Sequence, residues 1–466
     1  MFLSSRAKEK FHIEAISTGE MDSFINRCSS IYQGKPEWLD PDNHIGTINF
    51  AKSVCSEIGR LTTLAVGIEI SGGARADWLQ KQINAVYFNL RHWVEYGCAY
   101  GTILLKPNEQ GVDVVFPGEF LITDCVNGEI TGAVFQSRRY DSTAKKWFTR
   151  LEYHRFLPNG HYAVSNRCYI GETDHDPGRA ISIDKTPWKD LSEDVEIENV
   201  EKPLFGVFRT PAANNITLDS PLGMPVFADA LEELKDLDIA YSRNAKEILD
   251  SKRMILVDSD RLFPYSGKHP AEDERSFRSA AAYESIKDGM GLPDFVKAVD
   301  GMGREKEVYH EINPNLNTDT RLKGINAYLS QIGYKCGFSN GYFVFNERTG
   351  MVTATQVEAD DRRTIQLIKD MRDKLEDGLN GLFYALSKMA DLYHLAPVGK
   401  YEVVYDFGDI TYNREEDRAR WLGYVSQNII PKWYYLVKFE GLSEKDAKKL
   451  IAEAEPHESP PFGDEE

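Results

Sequence analysis

Apolar residues recur three or four apart over two stretches that bracket a strand-bearing segment. In the first, Phe227, Leu231, Leu234, Leu237, Tyr241, Ala245, Ile248 and Leu249 predict an amphipathic helix from Pro225 to Lys252. Lys252-Arg253 suits the negative end of a helix, and Met254-Ile255-Leu256-Val257 then reads as a strand. The second stretch, about Asp319 to Cys336, repeats the spacing with Leu322, Ile325, Leu329, Ile332 and Cys336. A hairpin follows, Tyr342–Phe345 and Met351–Thr353 joined by Asn346-Glu347-Arg348-Thr349-Gly350. The longest helix comes next. Thr355-Gln356-Val357-Glu358 reads as a capping box, and Val357, Ile365, Ile368, Met371, Leu375, Leu379, Leu382, Leu386, Met389 and Tyr393 sustain its stripe. At about 1.5 Å per residue it spans about 57 Å. Helix, small β module, helix, hairpin, long helix describes a projecting stalk better than an enzyme cleft.

Upstream, the spacing predicts helices between Asp22 and Leu64 and one from Trp78 to Tyr96, closed by Gly97. Strands are expected at Tyr100–Leu105, Val112–Phe116, Glu129–Gln136, Trp147–Phe156 and His161–Tyr169, with Asn-Gly turns at 127–128 and 159–160. Helices followed by strands indicate an α+β domain. Residues 172–201 are acidic and aperiodic and read as a surface connection, after which Leu204–Phe208 returns to a sheet. Further strands are expected at 254–257, 294–299 and 306–312, around a polar stretch at Ser266–Arg278. Tyr401–Phe407 reads as a strand. Asn413–Ala454 reads as a helical module whose last helix is capped by Ser443-Glu444-Lys445-Asp446, ahead of an acidic tail.

At 466 residues the chain has room for about three domains. Its hydrophobic content of 42% supports a buried core. No run approaches the roughly 18 apolar residues of a membrane span, and Met1-Phe2-Leu3 is too quickly charged for a secretory signal, so a cytosolic site of synthesis is expected. The cysteines at 28, 55, 98, 125, 168 and 336 lack zinc-knuckle spacing and are expected as free, mostly buried thiols. A net charge of −18 argues against gripping nucleic acid over a wide surface, which needs Lys and Arg to displace counterions. It is compatible with an acidic bore through which a duplex slides.

The search for chemistry is mostly negative. No phosphate-binding Gly-x4-Gly-Lys-Ser/Thr loop occurs. Gly301-Met302-Gly303 lacks the rest of a dinucleotide fingerprint and reads as a turn. His310-Glu311 reads as part of a strand rather than a metal site. Glu358, Asp360 and Asp361 have the composition of a two-metal nuclease site. They stand in the first turns of a helix, where the macrodipole favours negative charge, and Arg362-Arg363 follow; the capping reading is preferred. Trp421, Tyr424, Trp433, Tyr434, Tyr435 and Phe439 lack the interleaved cations of a base-stacking surface and are expected in a core or between subunits.

The order of elements and its local wording resemble the portal proteins of tailed bacteriophages, most closely long-tailed phages of Gram-positive hosts. The matching residues are Asn214…Asp219-Ser220-Pro221-Leu222-Gly223, Lys252-Arg253-Met254-Ile255-Leu256-Val257, Leu322…Tyr328-Leu329…Gly333…Gly337-Phe338-Ser339…Gly341-Tyr342-Phe343 and Met351-Val352-Thr353-Ala354-Thr355-Gln356-Val357-Glu358. The last is similar to the family's Thr-Ala-Thr-Glu-Val, with Gln356 where Glu is usual. The resemblance spans roughly Asn26 to Ala454.

It implies a portal-type α+β fold with a wing at 1–219, stem helix 1 at 220–253, a clip at 254–314 and stem helix 2 at 315–336. A hairpin with a channel loop would occupy 337–354, the long wing helix and strand 355–412, and a helical crown with acidic tail 413–466. The channel-loop role would fall on Asn346, Glu347, Arg348, Thr349, Gly350 and Met351. Arg321, Lys323 and Lys335 would either face the bore or form a solvated or intersubunit salt-bridging face. The implied protein is no enzyme. It has no catalytic residues, metal or cofactor. It is a virion component at the capsid's portal vertex, assembled in the host cytoplasm as a ring, usually of twelve subunits. Its partners would be the terminase large subunit, head-completion or adaptor proteins, capsid and scaffolding proteins, and double-stranded DNA passing through; no membrane is involved. A minor capsid protein, or a metal-dependent nucleic-acid-processing enzyme built on the carboxylates near 358–361, are the alternatives.

Overall fold

The computed structural model describes residues 2–16, 19–108, 111–173, 176, 178–250, 254–258, 296–299, 309–312, 318–344, 354–408, 414–427, 429–440 and 442–454. The chain is mixed α+β, 47% helical and 22% strand. It divides into a larger unit, Met1–Thr63 with Glu69–Val404, and a smaller one, Leu64–Ile68 with Tyr405–Glu466.

In the larger unit, helices α1 (Phe2–Phe11), α2 (Gly19–Tyr32), α3 (Phe50–Thr62), α4 (Ala74–Val86) and α5 (Leu90–Tyr100) precede most strands; β1 (Gly67–Ser71) lies among them. Strands β2 (Thr102–Asn108), β3 (Gly111–Val115) and, much later, β10 (Gly206–Arg209) form an antiparallel sheet in the order β10-β2-β3. A larger antiparallel sheet runs β4 (Phe120–Val126), β5 (Glu129–Asp141), β6 (Lys146–Phe156), β7 (Tyr162–Gly171) and β8 (Arg179–Ile181), with β9 (Asp194–Ile197) also pairing with β7. The expected Asn-Gly turn joins β4 to β5. Asn127 and Gly128 both have positive φ, 53° and 80°, between paired Val126 and Glu129, the backbone a two-residue hairpin requires.

The large sheet is a middle layer. One face carries Leu121, Val134, Leu151, Tyr153 and Tyr169 against Leu3 and Ala7 of α1. The other carries Ile122, Ala133 and Phe135 against Leu104, Val115, Met21, Ile25 and Phe205. Alternation along each strand assigns the two faces.

Three expectations need correction. The single helix Trp78–Tyr96 is two helices, broken by a 3-10 turn at Tyr87–Asn89, and the second runs through Gly97 to Tyr100. Gly97 is needed for space: a Cβ there would stand 2.0 Å from the Phe208 ring of β10. The left-handed residue that ends α5 is Gly101, with φ 78°. Strand β4 was not anticipated. The acidic connection 172–201 carries β8 and β9, both short edge pairings on β7; β8 (RAI) has no period-two signal, and the alternation of β9 (DVEI) is only four residues long.

Beyond β10 come α6 (Leu231–Asp250), β11 (Met254–Asp258), β12 (Val296–Val299), β13 (Tyr309–Ile312), α7 (Thr318–Lys335) and α8 (Ala354–Leu392). At 39 residues α8 is about 58 Å long, as its stripe predicts. It begins at Ala354, so Thr355 stands in the first turn rather than at the cap. Ile368, Met371, Leu375, Leu379, Leu382 and Leu386 are buried. Helix α8 meets β10 backbone to backbone: a Cβ on Gly206 would lie 2.2 Å from the Gly378 carbonyl oxygen, and one on Gly381 3.0 Å from Gly206 Cα. The far end of α8 is clamped by Arg75, 1% exposed. Its guanidinium donates to the carbonyls of Ser387 (2.5 Å), Ala396 (3.0 Å) and Pro397 (2.9 Å) and to Asp391 Oδ1 (2.5 Å). Ala396 and Pro397 lie just past the end of α8, so Arg75 ties the chain leaving the helix back to its last turns. Strand β14 (Glu402–Asp406) pairs with β1.

The smaller unit holds α9 (Arg414–Ser426), α10 (Lys432–Glu440) and α11 (Glu444–Ala454). Trp421 stacks on Tyr434 at 5.7 Å and meets Phe439, which is buried, at 6.1 Å. These aromatics pack on one another, as their lack of interleaved cations suggests. Ser443 Oγ accepts the Asp446 amide at 3.2 Å, the expected cap.

A charged chain is buried between the sheets. Glu152 accepts from Lys106 (2.5 Å) and Arg150 (2.7 Å), and its other oxygen meets His154 Nε2 at 2.9 Å. His154 Nδ1 faces Tyr162 Oη at 3.0 Å, and that oxygen accepts the Leu204 amide at 3.1 Å. Burial alone would raise the Glu152 carboxyl, but the Lys106 and Arg150 charges hold it well below the usual carboxylate range. Burial pushes His154 down, against its hydrogen bond to Glu152.

Two predictions follow from this packing. Gly206→Ala forces backbone apart at β10 and α8 and should cost about 3 kcal/mol, read by urea unfolding; an unchanged midpoint would refute the close contact. Both depressed groups stabilise the fold above their ordinary values and lose that contribution as pH falls. The loss therefore starts below about pH 6.5 with His154 and continues below about pH 4.3 with Glu152. Melting curves from pH 7 to 5 should decline for the native chain and stay nearly flat over that window for His154→Gln.

Candidate functional site: the two-helix stalk and its root

The sequence places its most distinctive order at α6, the β11–β13 module and α7, and the structure builds these as expected. Helices α6 and α7 pack through Leu231, Leu234, Leu237, Ile325, Leu329 and Ile332, all buried. Between them, β12 runs parallel and β13 antiparallel to β11, in the order β12-β11-β13. Parallel pairing requires a crossover between β11 and β12, which accounts for the length of the intervening chain. His310 and Glu311 are strand residues opposite Leu256 and Ile255.

The root of α6 is tied down by a residue that periodicity did not mark. Asp238 is buried on the inner face of α6 and accepts from Trp38 Nε1 (2.9 Å) and the Ile48 amide (3.0 Å). One turn on, Ser242 Oγ accepts the Gly46 amide at 3.1 Å. A lone acid beside Leu234, Leu237 and Tyr241 was the available signal. It passes for a solvated residue until Trp38 is brought against it.

The root of α7 is fixed at its C-terminus. The Phe338 amide donates to the Gly333 carbonyl (2.9 Å) and the Gly337 amide to Tyr334 (3.1 Å), with Gly337 at φ 94°. This is a Schellman ending, which turns the chain sharply. Phe338, Tyr342 and Phe343 cluster with centroids 4.7–4.9 Å apart, and Phe50 of α3 joins Phe343 at 5.1 Å. Tyr342 Oη donates to Glu57 at 2.5 Å. On α8, Thr364 Oγ1 accepts the buried Ser339 amide at 2.9 Å, and Arg363 lies over the Tyr334 ring at 3.8 Å while donating to its carbonyl at 2.9 Å. The segment entering the predicted loop and the helix leaving it are thus both pinned to the end of α7.

The loop residues Asn346, Glu347, Arg348, Thr349, Gly350 and Met351 lie outside the described residues, as do Gly301-Met302-Gly303 and Ser266–Arg278. Glu358, Asp360 and Asp361 fall on the first turns of α8. Of the three stalk cations, Arg321 forms an ion pair with Glu247, and Lys335 pairs with Glu233 (2.6 Å) and donates to the Asp229 carbonyl (2.8 Å). Both therefore bridge α7 to the chain's own α6 side. Lys323 is exposed and has no ion pair to a described residue.

Reactive groups were sought across the same region. All six cysteines are free thiols and all but Cys125 are buried, as expected; burial pushes Cys28 and Cys336 up to about 12, far from a thiolate at neutral pH. Among the described residues no three His, Cys, Asp or Glu side chains converge as metal ligands, and no helix is long and apolar enough to cross a membrane.

Asp238→Ala would leave the Trp38 indole and the Ile48 amide without an acceptor. It should cost about 2–4 kcal/mol, with faster hydrogen exchange at Ile48; unchanged exchange there would show that Asp238 does not anchor the stalk.

No protein-family model matches this chain, and no curated protein matches its sequence significantly.

Proposed function

We propose that the chain is a portal subunit: one of a ring of copies at a capsid vertex, through which a separate motor drives double-stranded DNA in and from which the genome later leaves. The observation that carries this reading is the stripe on α6. At its root Leu231, Leu234 and Leu237 are buried, yet further along Tyr241 is 46%, Ile248 50% and Leu249 67% exposed. Helix α7 runs beside α6 as far as Glu247, where Arg321 pairs with it, yet this part of the stripe stays exposed to solvent. Such a stripe suits cover from outside, and in a ring the neighbouring copy's stalk would provide it.

Three further features support it. The stalk is anchored at both roots and carries a β module at its tip, suited to docking terminase and then head-completion proteins. Described residues on either side of Asn346–Met351 meet at the end of α7, Ser339 with Thr364 and Tyr334 with Arg363, so the channel-loop role would fall near the stalk root. The net charge of −18 on each copy would keep a passing duplex from settling. Twelve helices about 10 Å wide, packed at about 9.5 Å spacing, enclose a clear bore of roughly 26 Å, enough for one duplex. In this reading α1–α5, the two sheets and α8 form the wing, residues 254–314 the clip, and 413–466 the crown. The chain contributes no catalysis, and its role is to shape the passage.

Light scattering on the purified chain should give a mass many times that of the 52.9 kDa subunit. Replacing Tyr241, Ile248 and Leu249 together by serine should return it to a folded monomer. A native chain that stays monomeric at every concentration and salt condition, or a triple variant that assembles like the native chain, would reject the stripe as a subunit contact.

A further inference from the structure

Charge is segregated along the large sheet. At one end the β5–β6 hairpin, residues 137–147, carries Arg138, Arg139, Lys145 and Lys146 against Asp141 alone. At the other, between Leu191 and Pro203, Glu193, Asp194, Glu196, Glu198 and Glu201 stand against Lys202 alone. Pairing fixes the separation. Trp147 of β6 lies opposite Gly171 at the hairpin end of β7, whereas Ile197 of β9 lies opposite Tyr162 at the other end. The eleven residues of β6 extend about 33 Å between the two.

The hairpin projects. Pairing of β4 with β5 stops at Phe120 opposite Phe135, while β5 runs on to Asp141. The tip is held in shape by the Tyr140 and Trp147 rings, 5.3 Å apart across the strands, and by Asp141 Oδ1, which accepts the amides of Thr143 (2.8 Å) and Ala144 (3.1 Å). Its one acid is thus engaged within its own turn. Lys146 is engaged by Glu172 at 2.6 Å. Arg139 and Lys145 are exposed and have no ion pair to a described residue. At the opposite end, Glu193, Glu198 and Glu201 are exposed and likewise have no ion pair to a described residue. Two other acids of this patch are engaged by β7 and its turn, Asp194 by Arg167 at 3.1 Å and Glu196 by His161 at 3.6 Å.

We infer that the β5–β6 tip of one copy docks on the acidic β9 edge of the next. The partner is a second copy because the complementary surface is present in the same chain, and because a protein of charge −18 repels nucleic acid as a whole. Unlike patches at opposite ends of one sheet make a head-to-tail contact, which propagates in one direction and closes into a ring if the rotation allows. This rests on the ring reading and deepens it by adding a second lateral contact, made by the wing and independent of the stalk.

The test uses the full chain, with assembly followed by light scattering and negative-stain images. The Arg139→Glu, Lys145→Glu variant and the Glu193→Lys, Glu198→Lys, Glu201→Lys variant should each lose most assembled particles, about tenfold at low salt where screening is weak. Neutral Arg139→Gln, Lys145→Gln should fall between them and the native chain. Mixing the two reversed variants should restore assembly, since each supplies the charge that the other lacks. If the native chain assembles and the reversed and neutral tips assemble equally well, the contact is wrong while the ring stands. If the tip variants instead lose binding to a DNA duplex with assembly intact, the hairpin is a nucleic-acid arm and the inference fails. A native chain that never assembles removes the ring and this contact together.

Discussion

Helix α8 touches β10 without side chains between them, through Gly206 on the strand and Gly378 and Gly381 on the helix. Most of the architecture depends on that approach. Seated so closely, a 39-residue helix becomes a rigid beam along the larger unit. Arg75 joins its far end, at Ser387 and Asp391, to the Ala396–Pro397 segment, and Arg372, midway, donates to the last carbonyls of α3 (Thr62, 3.3 Å; Leu61, 3.4 Å). Near its start, Arg363 and Thr364 hold the end of α7. The beam therefore ties the sheets, the helical layer and the stalk root into one frame, and a wider helix–sheet gap would loosen all three at once.

The stalk inherits its direction from that frame. Asp238 binds α6 to the Trp38–Ile48 segment, and the Schellman ending of α7 delivers Phe338, Tyr342 and Phe343 onto α3. Buried polar contacts of this kind specify geometry more than they add stability, because an alternative packing leaves a donor or a carboxylate unmatched. They hold the roots of a helix pair whose outer apolar stripe is exposed to solvent. Rigid at the base and bare along the flank is what a stave requires, and it is the physical content of the portal reading.

Much of this was legible in the residues because it rests on periodicity. The stripe from Ile365 to Tyr393 and the spacings on α6 and α7 mark long helices, and Asn127-Gly128 marks its hairpin by backbone chemistry alone. Strand β11 was also visible, as the short apolar run Met254–Val257. What stayed hidden depends on distant partners. Gly97 reads as a helix end by composition, and only the Phe208 ring against it explains a glycine within the helix. Strand β8 shows no local pattern, and the alternation of β9, Asp194-Val195-Glu196-Ile197, is too short to stand out in an acidic segment. Asp238 and Arg75 look like surface charges until segments about 200 and 300 residues away close over them. The pairing of Arg321 with Glu247 and of Lys335 with Glu233 likewise depends on how two helices of the chain come together, which spacing along either one does not show.

The account thus reduces to one claim about assembly: that the exposed flank of the stalk is an internal surface of a closed ring around a passage. End-on electron microscopy of the purified, unmodified chain tests it most directly. The account predicts annular particles of uniform subunit number with a stain-filled opening of roughly 26 Å at the narrowest ring of helices. Solid particles, open filaments or paired subunits without a central hole would contradict it.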